Sequence, residues 1–214
     1  MTSSPSRAKR SPRRALRAVR WGFFVAALCL AACSRGPVGT ASASEIAAMA
    51  PSHETLLEFG ELADSFRPVD DRVMGGVSQS RMERAPDGHA VFRGRLSREN
   101  NGGFASIRAS GLALDVSAMS TLVLRVRGDG RRYKLRLHDN NDFDRGAFQT
   151  EFETVADEWV ELTLPLDGFR PVWRGRVVTG AAPLNRGRIV SLGLMISDGQ
   201  EGEFELELDW LAGS

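Results

Sequence analysis

Cysteine is almost absent from this sequence, which has only Cys29 and Cys33, both near its start. Beyond residue 33 the chain offers neither a disulfide nor a free thiol, which excludes a disulfide-stapled scaffold and thiol catalysis there. Histidine is also scarce, with His53, His89 and His138 only. One falls in a linker-like segment and two lie beside turns or strand ends, so we expect solvated surface histidines rather than catalytic bases or metal ligands.

Acidic residues are missing from the first twenty positions, and the apolar run that follows them is too short to span a bilayer. Residues 21–32, WGFFVAALCLAA, number twelve, against the roughly 20 that a membrane-spanning helix needs. A basic stretch followed by a short apolar run is typical of a secretory signal peptide. The basic side chains of that stretch are Arg7, Lys9, Arg10, Arg13, Arg14, Arg17 and Arg20.

The end of the apolar run, Leu30-Ala31-Ala32-Cys33, resembles the lipobox of bacterial lipoproteins. We therefore predict a lipoprotein signal peptide over residues 1–32, removed before Cys33, and acyl chains on that cysteine. Each buried methylene contributes about 0.8 kcal/mol of membrane affinity, so two or three chains anchor a protein stably. The protein is then exported and lipid-anchored to the cell envelope, on the periplasmic or outer surface. The alternative is a plain signal peptide followed by a chance cysteine.

Removal of the signal peptide changes the charge of the protein. The whole chain has 28 basic and 27 acidic residues, a net charge of +1. Without the seven basic residues of the signal peptide, 21 basic residues remain against 27 acidic ones, a net charge of about −6. A mildly acidic domain lacks the positive surface that nucleic acid binding requires, so we predict no nucleic acid partner and membrane contact through the anchor alone.

The remainder divides into a linker and one folded domain. Residues 33–53 are rich in Ala, Ser, Gly, Pro and Thr, which predicts a lipid-anchored flexible tether. Residues 54–214 have the length of a single domain and show repeated alternation of apolar and polar side chains, which predicts β-strands. Alternation is clearest from Phe204 to Trp210, where Glu203, Glu205, Glu207 and Asp209 are expected to form the solvated face of one strand.

Strands also alternate at residues 122–126, 133–137 and 160–164, and further strands are predicted at about 78–84, 90–96, 104–109, 148–154 and 189–197. Gly128-Asp129-Gly130 predicts a tight hairpin turn between two of them. No stretch of twelve residues has convincing helical periodicity. Nine or ten short strands with one-sided patterning predict an all-β fold, an antiparallel two-sheet sandwich or jelly roll.

The segment Asp71–Ser78, DRVMGGVS, contains a glycine pair after valine and methionine, which indicates a backbone requirement rather than a core pattern. This segment resembles the signature of the complex I intermediate-associated protein 30 family. The resemblance implies a galactose-binding-domain-like sandwich and, since the best-known members are assembly factors for respiratory complex I, an assembly role. This chain would be a bacterial lipoprotein member, on the opposite side of the membrane from the mitochondrial proteins. The likeness continues through residues 92–97, 99–108, 127–133, 159–166 and 192–204.

Glycine-rich and amide-bearing loops are the candidate binding site. They suit hydrogen bonding to a polar ligand or peptide backbone, and Trp159, Trp173 or Phe169 would offer a flat apolar platform beside them. The alternative is structural, because paired glycines allow positive φ and Asn or Asp satisfies turn amides. The candidates are Asp71, Met74, Gly75, Gly76, Ser78, Asn100, Asn101, Gly102, Gly103, Arg108, Asp198 and Gln200.

Catalytic and metal-binding patterns are weak in this sequence, so we predict no catalytic residue, cofactor or metal. The segment from His138 to Asp144 concentrates oxygen ligands that Ca²⁺ accepts, but it does not match the EF-hand pattern and a solvated loop is favoured. Three functions remain open. The first is a non-catalytic, chaperone-like assembly factor with a protein client, either an envelope or a respiratory-complex protein. The second is a carbohydrate-binding module with a glycan ligand, and the third is an uncharacterised enzyme.

Overall fold

The structure is a computed structural model that describes residues 53–142 and 145–214. The predicted signal peptide, Cys33 and nearly all of the predicted tether lie outside the described residues, as do Phe143 and Asp144. Within the two described ranges, no helix is long and apolar enough to cross a membrane.

Strands dominate the described chain, because its apolar side chains recur at every second residue. One short helix, α1 (Phe59–Leu62), follows the first strand, and single 3₁₀ turns lie at Ala63–Ser65, Asp71–Met74, Glu99–Asn101 and Leu166–Gly168. The strands are β1 (Glu54–Glu58), β2 (Arg67–Pro68), β3 (Gln79–Arg84), β4 (Ala90–Leu96), β5 (Ala105–Leu114), β6 (Thr121–Gly128), β7 (Arg132–His138), β8 (Ala147–Glu153), β9 (Trp159–Pro165), β10 (Arg170–Trp173), β11 (Arg176–Val177), β12 (Ile189–Ile196) and β13 (Gly202–Gly213).

The strands form two antiparallel sheets. In the first sheet the order is β3-β4-β13-β6-β9, and β1 pairs with the second half of β13. In the second sheet the order is β11-β10-β8-β7-β12-β5-β2. β13 is the central strand of the first sheet, with β4 and β1 on one side and β6 on the other.

The core lies between the sheets and is built from the inward-facing residue of each alternating pair. Its centre is aromatic, with the rings of Phe92 and Phe204 4.9 Å apart and Tyr133 beside both. Tyr133 is fully buried, and its hydroxyl donates to Asp129 Oδ1 at 2.9 Å. Burial and the neighbouring Asp129 carboxylate raise the pKa of Tyr133 well above its ordinary value, so the hydroxyl remains a donor.

The outer face of the first sheet carries the acidic residues of β13, as the alternation predicted. Glu205, Glu207 and Asp209 are paired with arginines of the flanking strands. Arg127 Nη2 lies 2.6 Å from Glu207 Oε2, and Arg125 pairs with Asp209. Part of the negative charge of β13 is therefore neutralised by its neighbouring strands.

The prediction of an all-β, two-sheet antiparallel sandwich is confirmed. Every strand predicted from alternation is present within a few residues of its expected limits. The prediction missed β1, β2, β10 and β11, of which β2 and β11 have two residues each and show no alternation to detect.

Candidate functional site

The DRVMGGVS segment is organised around the carboxylate of Asp71, which is fully buried. Its Oδ1 accepts a hydrogen bond from the backbone N–H of Ser78 at 3.1 Å, and its Oδ2 accepts one from the Ser78 hydroxyl at 2.6 Å. The backbone N–H groups of Gly103 and Phe104 donate to Oδ2 at 2.8 and 3.4 Å. One side chain therefore joins the two glycine-rich segments that the sequence singled out.

The environment of Asp71 keeps it ionised. Burial raises the pKa of Asp71, whereas hydrogen bonds from the Ser78 hydroxyl and from three backbone N–H groups lower it. The lowering prevails, and the pKa lies below its ordinary value of 3.8. At neutral pH the Asp71 carboxylate is therefore negatively charged, and its hydrogen bonds hold the two loops together inside the domain.

The neighbouring glycines make room for this carboxylate. Gly75 has a φ of +88°, in the left-handed region where a side chain is strained, and it ends the turn Asp71–Met74. A Cβ atom on Gly76 would lie 2.8 Å from Asp71 Oδ2, and one on Gly102 would lie 2.5 Å from the same oxygen. Both glycines are therefore required by close packing against the carboxylate.

A second buried carboxylate, Asp70, links the two sheets. Its Oδ2 accepts the backbone N–H of Ser80 on β3 at 3.0 Å, and its Oδ1 accepts the Ser80 hydroxyl at 2.6 Å. The backbone N–H of Ser106 on β5 also donates to Oδ1, at 3.0 Å. The sequence analysis did not select Asp70, although the serines at alternate positions 78 and 80 were a detectable sign of a polar, buried strand end.

The side chains that this loop presents to solvent are apolar. Val73, Met74 and Val77 are 86%, 61% and 42% exposed, and we call these three residues the apolar tip. Asn100 and Asn101, both with positive φ, are exposed beside it. Two internally bonded carboxylates therefore hold an apolar surface in a fixed place.

A polar groove of about 550 Å³ begins at Val77 and runs over β3, β4 and the start of β13. Its charged lining residues are Arg81, Arg95, Glu99 and Glu203. Both signs of charge are present, so the groove is suited to a partner with mixed charges rather than to a strongly charged one.

The remaining candidates are Arg108 on β5 and two residues of the loop between β12 and β13, Asp198 and Gln200. Asp198 accepts a hydrogen bond from Lys134 Nζ at 2.9 Å. Gln200 bonds to both the backbone N–H and the carbonyl of Arg132, at 2.9 and 2.7 Å. Both thus attach to β7, and Arg108 lies on β5 in register with Gly193. The structure joins Asp71, Gly76, Ser78, Gly102 and Gly103 directly, with Met74, Gly75, Asn100 and Asn101 around them.

The expectation of solvated histidines is wrong for His89 and His138, which are only 9% and 3% exposed. His89 Nδ1 lies 2.8 Å from Asp87 Oδ1 and its Nε2 lies 2.7 Å from Glu207 Oε2, so the ring is held between two carboxylates. The His89 and Trp159 rings pack in a T-shaped arrangement, with their centres 5.4 Å apart. His89 lies just before β4 and His138 is the last residue of β7, and neighbouring groups cover both rings.

The aromatic platform is reduced to two tryptophans. Phe169 is buried in the core at 6% exposure, so its proposed role as a surface platform is wrong. Trp159 is half-buried beneath the guanidinium groups of Arg125 and Arg127, at 4.9 and 5.2 Å from its ring centre. Trp173 is 41% exposed.

In the oxygen-rich loop after β7, the Asp139 and Asn140 side chains form hydrogen bonds within the protein. Asp139 Oδ1 accepts from the Asn140 amide at 2.7 Å, and its Oδ2 accepts from the backbone N–H of Asn185 at 3.0 Å. In the part of the chain that the structure describes, no group of three or more His, Cys, Asp and Glu side chains is arranged to hold a metal ion.

The two antiparallel sheets define the class of this domain as an all-β, two-sheet sandwich. Two solved structures of this shape are family 11 carbohydrate-binding modules of Clostridium thermocellum. One was solved in complex with a beta-1,3-1,4-mixed-linked tetrasaccharide, with a TM-score of 0.57 and 15% identity over 77% of this chain and 98% of that one. The other, from a cellulosomal cellulase, has a TM-score of 0.55 and 14% identity over 77% and 96%. At such identities the likeness concerns the fold.

Within this class, the chain belongs to the complex I intermediate-associated protein 30 family, whose sequence profile matches residues 57–208. The mitochondrial complex I intermediate-associated protein 30 of Mus musculus is 27% identical over 190 residues, covering 75% of this chain and 58% of that protein. The protein of the same name from Drosophila melanogaster is 27% identical over 173 residues, covering 71% and 58%. This chain thus spans a little over half the length of these relatives.

Proposed function

We propose that this protein is a non-catalytic assembly factor that binds a protein client, an envelope or respiratory-complex protein, through the apolar tip. Family membership supports an assembly role, because the relatives are named for association with complex I intermediates. The observation that carries the proposal is the apolar tip itself, three exposed apolar side chains on a loop fixed by Asp71.

The use of the polar groups supports a protein client over a small polar ligand. The Asp71 carboxylate, the Ser78 hydroxyl and the Gly103 N–H bind one another, so they are not available to a ligand. Exposed apolar side chains on a rigid loop lose little conformational entropy when a partner covers them, which favours binding. The groove beside Val77 extends the same surface with charges of both signs.

Site-specific photo-crosslinking in cells tests this proposal. A photoreactive amino acid at Val73 should crosslink to one or a few proteins, whereas the same residue at Val177, on β11 and 63% exposed, serves as the matched control. Mass spectrometry identifies the crosslinked proteins. Equal crosslinking from both sites, or none from Val73, would refute a client at the apolar tip.

A carbohydrate-binding module is the second candidate, favoured by the shared fold with family 11 modules and by the partly exposed Trp173. Sugar-binding surfaces commonly stack a pyranose ring on an aromatic side chain. Trp173 is the candidate for such a contact, although the Arg174 guanidinium lies 4.5 Å from the centre of its ring. A glycan array probed with the purified chain and with Trp173→Ala tests it. Binding that disappears in Trp173→Ala supports a glycan ligand, and a blank array removes this candidate.

We also propose that the protein is exported and anchored by acyl chains on Cys33. The chain offers its own control, because Cys29 lies four residues earlier, inside the predicted signal peptide. Cys33→Ser should abolish labelling by a radioactive or clickable fatty acid and release the protein from the membrane fraction, whereas Cys29→Ser should do neither. Membrane retention of Cys33→Ser without label would refute the anchor.

A further inference from the structure

The charges of the chain beyond the predicted signal peptide are unevenly distributed. Residues 168–197 contain five arginines and neither an aspartate nor a glutamate. Outside that segment, residues 33–167 and 198–214 together contain 16 basic and 27 acidic side chains. A chain with a net charge of about −6 therefore contains one segment with a net charge of about +5.

Three of these arginines lie on the hairpin that β10 and β11 form at the edge of the second sheet. We call residues 170–178 the basic hairpin. Trp173 pairs with Arg176, and the two residues between them, Arg174 and Gly175, have φ values of +47° and +75°. Positive φ at both central residues is the geometry of a tight two-residue turn that matches the twist of its strands. The end of the hairpin therefore has a defined shape.

The basic hairpin is fixed at its base and open to solvent at its end. Val172 is only 6% exposed, and it pairs with Ala147 on β8. By contrast, every residue from 173 to 183 is exposed. A Cβ atom built on Gly175 would have no other heavy atom within 4 Å, so the turn projects away from the rest of the domain.

The positive charge of the basic hairpin is not neutralised by the domain. Among the residues that the structure describes, Arg170, Arg174 and Arg176 form no ion pair, whereas Arg186 pairs with Asp167. The guanidinium of Arg174 lies 4.5 Å from the centre of the Trp173 ring. The hairpin therefore offers positive charge beside an exposed aromatic side chain.

Apolar side chains are exposed on both faces of the basic hairpin. Directly paired residues of antiparallel strands share a face. Val177 therefore lies on the face of its partner Val172, and Trp173 lies on the opposite face with Arg176. Trp173, Val177 and Val178 are 41%, 63% and 38% exposed. A flat partner surface would cover one of these faces, whereas a bilayer surrounds an inserted hairpin on both.

We propose that the basic hairpin docks end-on into the surface of an anionic lipid membrane. Tryptophan favours the boundary between acyl chains and headgroups, and arginine extends its charged end to the headgroups while its stem lies among apolar groups. Each basic residue near an anionic membrane strengthens binding by about fivefold. A nucleic acid would also attract the arginines, but it would give Val177 and Val178 no apolar surroundings. The proposal adds a second membrane contact to the predicted anchor and does not depend on acylation of Cys33.

This docking leaves the apolar tip accessible. The turn Asp71–Met74 follows β2, which lies at one edge of the second sheet, and β11 lies at the other edge. The two edge strands are six inter-strand spacings apart, about 29 Å across the sheet. A membrane contact at the basic hairpin and a protein client at the apolar tip therefore use separate surfaces, so one can fail without the other.

A fluorescent label on the hairpin tests the membrane contact. The full-length chain with Cys29→Ser and Cys33→Ser receives one new cysteine by Val177→Cys, which is labelled with a nitrobenzoxadiazole dye. The control is Val155→Cys, because Val155 is 50% exposed and follows the end of β8 that is remote from β10. The vesicles consist of phosphatidylcholine with brominated acyl chains, with or without about one third phosphatidylglycerol.

The brominated chains make the measurement local. Residues 1–32 also carry basic and apolar side chains that favour vesicle binding, so binding of the whole chain is not informative. Vesicles with phosphatidylglycerol should quench the label at position 177 and leave the label at position 155 unquenched, and vesicles of phosphatidylcholine alone should quench neither. Arg174→Gln with Arg176→Gln should raise the lipid concentration for half-maximal quenching by at least about fivefold. Arg72→Gln with Arg84→Gln, which removes the same charge from other exposed positions, should leave that concentration unchanged.

Four results would overturn the proposal. The first is absence of quenching at position 177, which is the result expected if the hairpin binds a glycan or a nucleic acid. The second is equal quenching at positions 177 and 155, and the third is an equal effect of the two pairs of arginine substitutions. The fourth comes from cells, where a photoreactive amino acid at Val177 should crosslink to phospholipid. Crosslinking to a protein instead, including a second copy of this chain, would show that the hairpin has a different partner.

Discussion

Replacement of Asp71 by alanine should destabilise the domain more than an ordinary surface substitution. The carboxylate accepts three hydrogen bonds of 2.6 to 3.1 Å, two from Ser78 and one from Gly103. A hydrogen bond to a charged group contributes about 1.5–3 kcal/mol, although such contributions do not add fully. The Ser78 hydroxyl can still donate to the Ser97 carbonyl, but the backbone N–H groups of Ser78 and Gly103 would lose their acceptor. We therefore expect the free energy of unfolding to fall by about 3–5 kcal/mol.

Urea denaturation at pH 7, followed by tryptophan fluorescence, measures this loss. Asp71→Asn should lower the free energy of unfolding by less, about 2 kcal/mol. Its amide oxygen still accepts from the donors on one side of the carboxylate position, whereas its NH₂ group faces the donors on the other side. Asp64→Ala is the matched control, because Asp64 is exposed and its side chain should contribute less than about 0.5 kcal/mol. A loss for Asp71→Ala within about 1 kcal/mol of that control would refute the proposed role of the carboxylate.

Three further results are expected. Since the folded-state pKa of Asp71 lies below 3.8, its contribution is complete above that pH and is lost as pH falls through the folded-state pKa. The stability difference between wild type and Asp71→Asn should therefore shrink below about pH 4, and a constant difference contradicts this. Gly94→Ala should lower the free energy of unfolding, measured by urea denaturation, by about 1–3 kcal/mol. The reason is that its Cβ would lie 2.9 Å from the carbonyl carbon of Gln79 on β3. Tyr133→Phe should lower the free energy of unfolding by about 1.5 kcal/mol, because the Tyr133 hydroxyl donates a hydrogen bond to Asp129. For each of these two variants, a loss below about 0.5 kcal/mol would contradict the contact that it tests.

The sequence predicted most of the strands because alternation is a local property. Each strand of the sandwich buries one face, and the pattern at residues 204–210 contains that information without reference to any other part of the chain. The family motif also indicated correctly which fold these strands build. Short edge strands such as β11 have too few residues to show any period.

The roles of individual polar residues depend on distant partners and were harder to predict. Asp71 receives a hydrogen bond from Gly103, 32 residues away, and only the pairing of the loops brings them together. Similarly, the alternation placed His138 on the outer face of β7, but its burial depends on neighbouring groups rather than on its own strand. Non-local contacts of this kind are not encoded in spacing along the sequence.

The position of β13 has a consequence for the time at which the domain folds. It follows β1, β4 and β6 along the chain, and it is the shared partner of all three. Until residues 202–213 are available, those earlier strands have unpaired edges and the first sheet stays incomplete. A nascent chain would therefore expose these edges until β13 has been made, and such edges aggregate readily unless a chaperone binds them.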